Sequence, residues 1–192
     1  MSGPPPIHDL EHAACSPAPG SCARPALVTA LDDVDKAQLV AELVDALGRA
    51  RDTVAAAQRG TQEGVTHADA RSEGDKDMRA TEASYVARGQ AMRVEALDAD
   101  VAKVTSMKLR RFGPDDPAAL SALVVLDQDG AQRVILLAPA GGGVRLCSQG
   151  REIDVVTPAS PLGRALLGAR VGDAVSYQRG GTEDEVELVA IR

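Results

Sequence analysis

The chain has 192 residues, a formal net charge of -7 and an apolar content of 44%, with no Trp, one Phe and two Tyr. That length allows one modest domain plus an extended element, or two small domains, but not a single large core. The acidity argues against holding duplex nucleic acid by neutralising phosphates, and the scarcity of aromatics argues against a base-stacking platform, so a protein partner is expected.

Residues 1–33 are rich in Pro, Ala, Ser and Gly, with PPP at Pro4 to Pro6 and SPAPGSCARP at 16–25, and are expected to form a disordered, dispensable extension. The first residues lack the basic-then-apolar order of a secretory signal, and no apolar run approaches the roughly 18 residues of a membrane span. No membrane contact and a cytoplasmic location are therefore expected. Three cysteines, Cys15, Cys22 and Cys147, are an odd number without framework spacing and suit a reducing compartment. Cys147, in VRLCSQ, is expected to be a packed, inert side chain. His8, His12, Cys15 and Cys22 are ligand types that could surround Zn²⁺, but their spacing matches no zinc pattern, so no metal site is expected.

From Asp35 the pattern becomes helical. Leu39, Leu43, Leu47, Ala50, Val54 and Ala57 fall three or four residues apart, predicting a helix of roughly 25 residues, about 37 Å long. Gly60 and Gly64 weaken it, and Ser72, Gly74 and Asp75 supply turn and cap chemistry before a second helix from Asp75 to Ser106. In that second helix Met78, Tyr85 and Met92 recur at seven, followed by Val94, Leu97, Val101 and Val104, an apolar stripe facing the first helix. Ala50, Ala57 and Gly89 suit close two-helix contact. Residues 34–106 thus predict an antiparallel coiled-coil hairpin with an acidic tip near 69–78. His67, placed in the link, lacks a nucleophile or supporting acid and is expected to be solvated.

After RRFGPDDPAA the period drops to two or to short apolar runs: SALVVLDQ, RVILLAP, VRLCSQ, EIDVV, DAVSYQ and EVELVAI. The glycines at Gly141 to Gly143 lack a following Lys-Ser/Thr and read as a sheet turn rather than a phosphate loop. SPLGRALLGA carries the one helical signal here, with Ser160 as cap and Pro161 at the start. The fold class is therefore α+β, a helical hairpin followed over residues 107–192 by a small antiparallel β domain with one short helix.

The stretch EIDVVTPASPLGRALLGARVGDAVSYQRGGTEDEVELVAIR, Glu152 to Arg192, resembles the end of the C-terminal domain of Gre-type bacterial transcription elongation factors. Its ordered landmarks are a strand, Ser-Pro, Gly-Arg-Ala-Leu-Leu-Gly, Val-Gly-Asp, a strand, Gly-Gly and a closing strand. Each is also explained by cap, turn and packing chemistry alone. ATEASYVARGQAMRVEAL, from Ala80, is similar to the second Gre helix at Tyr85, Ala87, Arg88 and Gln90. The resemblance implies an FKBP-like C-terminal domain that docks on RNA polymerase through residues such as Ser160, Pro161, Leu162 and Arg164, while the hairpin enters the secondary channel. It implies no enzyme activity of its own, no cofactor beyond the polymerase's Mg²⁺, and a monomer. Any DNA-binding would be confined to the elongation complex.

Family tip acids add carboxylate oxygen to the polymerase's weakly held Mg²⁺, where they favour cleavage of backtracked RNA. The candidates here are Glu73, Asp75 and Asp77, within DARSEGDKDMRATEAS. The family pair, an Asp and a Glu three residues apart, is not intact, since Met78 or Ala80 stands where the Glu should be. Acids near a helix start also oppose its dipole without further role. Two readings follow, a cleavage-stimulating factor and a secondary-channel regulator that binds without stimulating cleavage. Prolyl isomerase activity is not expected, because this half offers only Tyr177 and Phe112 to line such a site.

Overall fold

The computed structural model describes residue 31, residues 34–68 and residues 76–192. Two long helices come first: α1, Lys36–Ala68, and α2, Lys76–Thr105. At 1.5 Å per residue they are about 50 and 45 Å long. Asp35 caps α1, its Oδ1 accepting from the Ala37 N–H at 2.8 Å. Arg51 of α1 reaches Asp98 of α2 at 3.1 Å across the seam of the hairpin.

Helix α1 is longer than the pattern predicts. It runs through Gly60 and Gly64, and His67 is its penultimate residue rather than part of a link. Each internal glycine costs only about 1 kcal/mol relative to Ala, which surrounding helix formers tolerate. The seam also differs from expectation. Leu39, Leu43, Leu47, Leu97 and Val104 are buried as predicted, but Tyr85 is 72% and Met92 63% exposed, and Ala50, Ala57 and Gly89 are exposed too. Met92 precedes Leu97 by five residues, which turns it about 140° away from the seam. Gln90, seven before Leu97, faces the seam instead, and its Oε1 is buried without a hydrogen-bond partner among the described residues.

Six strands follow: β1 Leu123–Gln128, β2 Ala131–Leu137, β3 Arg145–Ser148, β4 Arg151–Val156, β5 Ala174–Arg179 and β6 Thr182–Ile191, with helix α3, Pro161–Leu166, between β4 and β5. They form one sheet in the order β3-β4-β2-β1-β6-β5. Three two-residue turns, Asp129-Gly130, Gln149-Gly150 and Gly180-Gly181, have positive φ at both positions, the geometry that matches the twist of paired strands. The sheet is antiparallel except that β2 pairs with β4 in parallel, Val134 opposite Ile153. The sheet is mostly antiparallel, as expected, and its one parallel pair arises because the chain leaves β2, makes the edge strand β3, and returns as β4 beside β2.

The two faces of the sheet bury different things. Leu123, Val125, Val134, Leu136, Ile153 and Val155 join Leu39, Leu43, Leu47, Leu97 and Val104 of the hairpin base in one core. Val124, Leu126, Ile135 and Leu137 join Leu162 and Leu166 of α3 with Phe112 and Tyr177 in the other. A bulge in β6 lets it serve both: opposite Val125 and Leu126 the partners step from Ala190 to Leu188, so Ala190 packs toward the hairpin and Leu188 toward α3. Fully burying each large aliphatic chain contributes about 1.5–3 kcal/mol, so the hairpin base is fastened by side chains rather than by its connection alone.

Two positions explain how the hairpin is seated. Gly141, at φ +81°, lies under Leu43, whose Cδ1 would be 2.7 Å from a Cβ at that position. The glycine turn therefore also receives α1. Ser121, at φ 71° and fully buried, accepts from the Arg110 backbone N–H at 3.0 Å. That bond ties the segment leaving α2 to the start of the sheet. Leu31, assigned by composition to the extension, is buried in the hairpin-side core, so the packed part of the chain begins before residue 34. Cys147 is exposed, contrary to the packed role expected, because Leu146 takes the inward position of β3.

Candidate functional site

Helix α3 is short, and its start is fixed by an interlocked set of bonds. Ser160 Oγ donates to the Thr157 carbonyl at 2.9 Å and accepts from the Gly163 N–H at 3.0 Å, while the Ser160 N–H donates to the same carbonyl at 3.0 Å. Pro161 occupies the first turn, where its missing N–H costs nothing. Gly163 is required there. A Cβ on it would lie 2.0 Å from the Thr157 carbonyl oxygen.

The far end of α3 is tied to the segment before β1: the Gly168 N–H donates to the Ala118 carbonyl at 2.8 Å, and the Ala118 N–H to the Ala169 carbonyl at 2.8 Å. Arg170 also donates to the Asp115 carbonyl. Beyond it, Asp173 Oδ2 accepts from the Arg170 N–H at 2.8 Å and leads the chain into β5. Both ends of the helix are thus anchored by backbone bonds, which holds its outer face in one orientation.

The predicted docking residues divide between two roles. Leu162 is buried against the sheet and is part of the core, whereas Pro161 and Arg164 are exposed and Ser160 is half-buried in its cap. Arg164 Nη1 donates to the Ala159 carbonyl at 3.0 Å, which steadies the side chain on the surface. Pro161, Arg164 and Ala165 form one wall of a shallow cleft of about 440 Å³, with Ser176, Tyr177, Gln178 and Glu183 of β5 and β6 as the other. Tyr177 closes its floor, and its hydroxyl receives Arg133 Nη2 at 3.0 Å. The buried Arg133 Nε has no hydrogen-bond partner among the described residues. Sequence reasoning missed Arg133 and Ser121, because neither lies in a motif; a charged residue within the apolar strand RVILL was the one available signal.

Residues 148–192, which contain α3 and its capping set, match the family model described as the C-terminal domain of transcription elongation factor GreA/GreB. Residues 148–192 are similar to a Gre-type C-terminal domain. No curated protein matches the chain. Among solved structures it is similar to the transcription factor Gfh1 at 24% identity, covering 80% of this chain and 92% of that one with a TM-score of 0.35. It is similar also to GreA factor homolog 1 of Thermus thermophilus at 21%, covering 80% and 94%, TM-score 0.33. The GreA/GreB factor of Nitrosomonas europaea is similar at 18%, covering 50% and 77%, TM-score 0.32. Likenesses at these scores carry no weight beside the family match.

In the hairpin, α1 ends at Ala68 and α2 begins at Lys76. Glu73 and Asp75 fall between, outside the described residues. Asp77 is the second residue of α2, and its side chain is likewise outside the description. His8, His12, Cys15 and Cys22 lie outside the described residues as well. Among the described residues, no group of three or more His, Cys, Asp or Glu could hold a metal ion, and no helix is long and apolar enough to cross a membrane. Phe112 and Tyr177 are 7% and 8% exposed, so the two aromatics serve the core rather than an open ring-lined pocket.

Proposed function

We propose that this chain is a transcription elongation factor that binds RNA polymerase through its Gre-type domain and inserts the hairpin tip into the secondary channel. There it would rescue backtracked complexes by stimulating the polymerase's own transcript cleavage. The observation that carries this reading is the joining of a Gre-type C-terminal domain to a hairpin about 50 Å long whose base is packed into that domain's core. A hairpin fastened by buried leucines can deliver its tip to a fixed distance and direction. One hanging on a loop could not.

In this reading α3 presents Pro161 and Arg164 to the polymerase, and the cap built on Ser160 and Gly163 sets their position. Asp75, Asp77 and Glu73 are the tip acids, supplying carboxylate oxygen beside the polymerase's Mg²⁺. Catalysis belongs to the polymerase, and this protein is not itself an enzyme. It acts as a monomer in the cytoplasm and meets nucleic acid only within the elongation complex.

A second reading is favoured by one specific observation. The sequence places Met78 or Ala80 where a Glu three residues after the tip Asp would stand, so the protein could occupy the channel without stimulating cleavage. Stalled, backtracked elongation complexes incubated with the protein and with Asp75→Ala and Asp77→Ala variants separate the two. Cleavage that is lost in one of the variants supports the stimulating role. Its absence at saturating, demonstrably bound protein selects the regulator, and failure to bind polymerase removes both.

A further inference from the structure

In the cleft between α3 and the β5–β6 pair, opposite charges face each other without meeting. Arg164 stands on the α3 wall and Glu183 on the other, both exposed, and no other charged residue lines the space. Among the described residues Arg164 makes no ion pair. Glu183 does not reach it across the cleft, and neither does Asp184, the cross-strand neighbour of Tyr177. The hydrogen bond from Arg164 Nη1 to the Ala159 carbonyl, 3.0 Å long, uses part of the guanidinium and leaves the rest of its N–H donors for a partner.

The floor adds a neutral donor. The Tyr177 hydroxyl accepts from Arg133 Nη2 at 3.0 Å and donates to none of the described residues. Accepting from a guanidinium polarises that O–H and makes it a stronger donor. Beside Arg164, the exposed Pro161 and the half-buried Ala165 lay an apolar strip along the same wall.

We propose that this cleft receives a segment of RNA polymerase that presents a carboxylate to Arg164 and a cation to Glu183. The inference rests on the elongation-factor reading and adds to it the chemistry of the docking partner. The separated charges select the class of occupant. A nucleic-acid backbone or a phosphate chain carries one sign only and is repelled at Glu183, whereas a protein surface can satisfy both walls. The guanidinium fork matches a carboxylate in bidentate fashion, and the carboxylate keeps lone pairs for the Tyr177 hydroxyl. Arg164 is already tied to Ala159, and both ends of α3 are anchored by backbone bonds, so docking orders little that is not ordered beforehand. Opposite charges on facing walls also admit the segment in one direction and reject it reversed.

Equilibrium binding of the full chain to core RNA polymerase, at low and at physiological salt, tests this. Arg164→Gln should weaken binding about tenfold or more, the worth of a charge-assisted hydrogen bond. Arg164→Lys keeps the charge but not the fork and should retain part of the affinity. Glu183→Lys should also weaken binding, and Tyr177→Phe should do so about threefold. Rising salt should weaken the parent more steeply than Arg164→Gln. Arg164 and Glu183 are exposed, so their variants should melt with the parent, and melting curves distinguish a lost contact from a lost fold. Parent-like binding by either Arg164→Gln or Glu183→Lys overturns the proposal and leaves the elongation-factor reading standing. Tighter binding by Glu183→Lys overturns it too, because the occupant would then be anionic throughout. A parent that does not bind polymerase removes both.

Discussion

Gly163→Ala should damage helix α3 although alanine is the better helix former. The added methyl would lie 2.0 Å from the Thr157 carbonyl oxygen, 2.7 Å from its carbonyl carbon and 3.0 Å from Ser160 Oγ. Relief requires α3 and the turn before it to separate by more than about 1 Å, given carbon contact distances of roughly 3.5 Å. The Thr157 carbonyl cannot simply move, because it accepts both the N–H and the hydroxyl of Ser160. Losing those two bonds costs about 0.5–1.5 kcal/mol each. Partly lifting Leu162 and Leu166 from the sheet adds about 1–3 kcal/mol, and the propensity gain of Ala over Gly returns up to about 1 kcal/mol. The net expectation is a destabilisation of about 2–4 kcal/mol, with weaker polymerase binding. Urea unfolding followed by far-UV circular dichroism measures it, with Gly48→Ala as the internal contrast. Gly48 is also helical, but nothing lies within 4 Å of its added methyl, so that variant should gain about 0.5–1 kcal/mol. If both glycine variants gain stability alike, the account of α3 given above is wrong.

Two further outcomes follow from the junction. Gly141→Ala places a methyl 2.7 Å from Leu43 Cδ1 at a positive φ and should cost about 1–3 kcal/mol; combining it with Leu43→Ala should recover at least about 0.5 kcal/mol in a double-mutant cycle of denaturation midpoints, and strict additivity would show that the turn does not receive α1. Lys36 has a folded pKa of about 8, below its ordinary 10.5, because of burial and then of the neighbouring Arg192. Between those values the unfolded chain holds the proton that the folded chain has released, so its contribution favours folding more as pH rises. Charged Lys36 thus destabilises the fold most fully below pH 8. Lys36→Met should therefore stabilise at pH 7 by up to about 1 kcal/mol, a figure reduced for the screening of a half-buried group, and the advantage should shrink from pH 8 to 10.5; an advantage that grows over that window contradicts the assignment.

Much of this protein could be read from its residues. The short apolar run LVVL, buried on both faces of the sheet, and the alternation in EVELVAI give strands because side chains on a strand point to opposite faces at every step. Ser160, Pro161 and the glycine after the helix mark α3 because cap and turn chemistry is local. The tip acids were named from sequence alone, and Glu73 and Asp75 lie beyond the described residues. The seam of the hairpin was read wrongly at Tyr85 and Met92, because a seven-residue recurrence defines a stripe but not which stripe meets the partner helix. Gly60 and Gly64 were read as weak points, though a long helix absorbs their small cost.

Residue order by itself determined the two-part plan, the strand pattern and the capped helix α3, since these depend on neighbours within a few positions along the chain. Only the tertiary structure decided that β2 runs parallel to β4, that Leu43 seats on Gly141, and that Lys36, Arg110, Arg111 and Arg192 converge on one cleft. Lys36 and Arg192 stand at opposite ends of the folded sequence, and no local period encodes their meeting. Burial of the leucines between hairpin and sheet brings them together, and that burial depends on the whole fold.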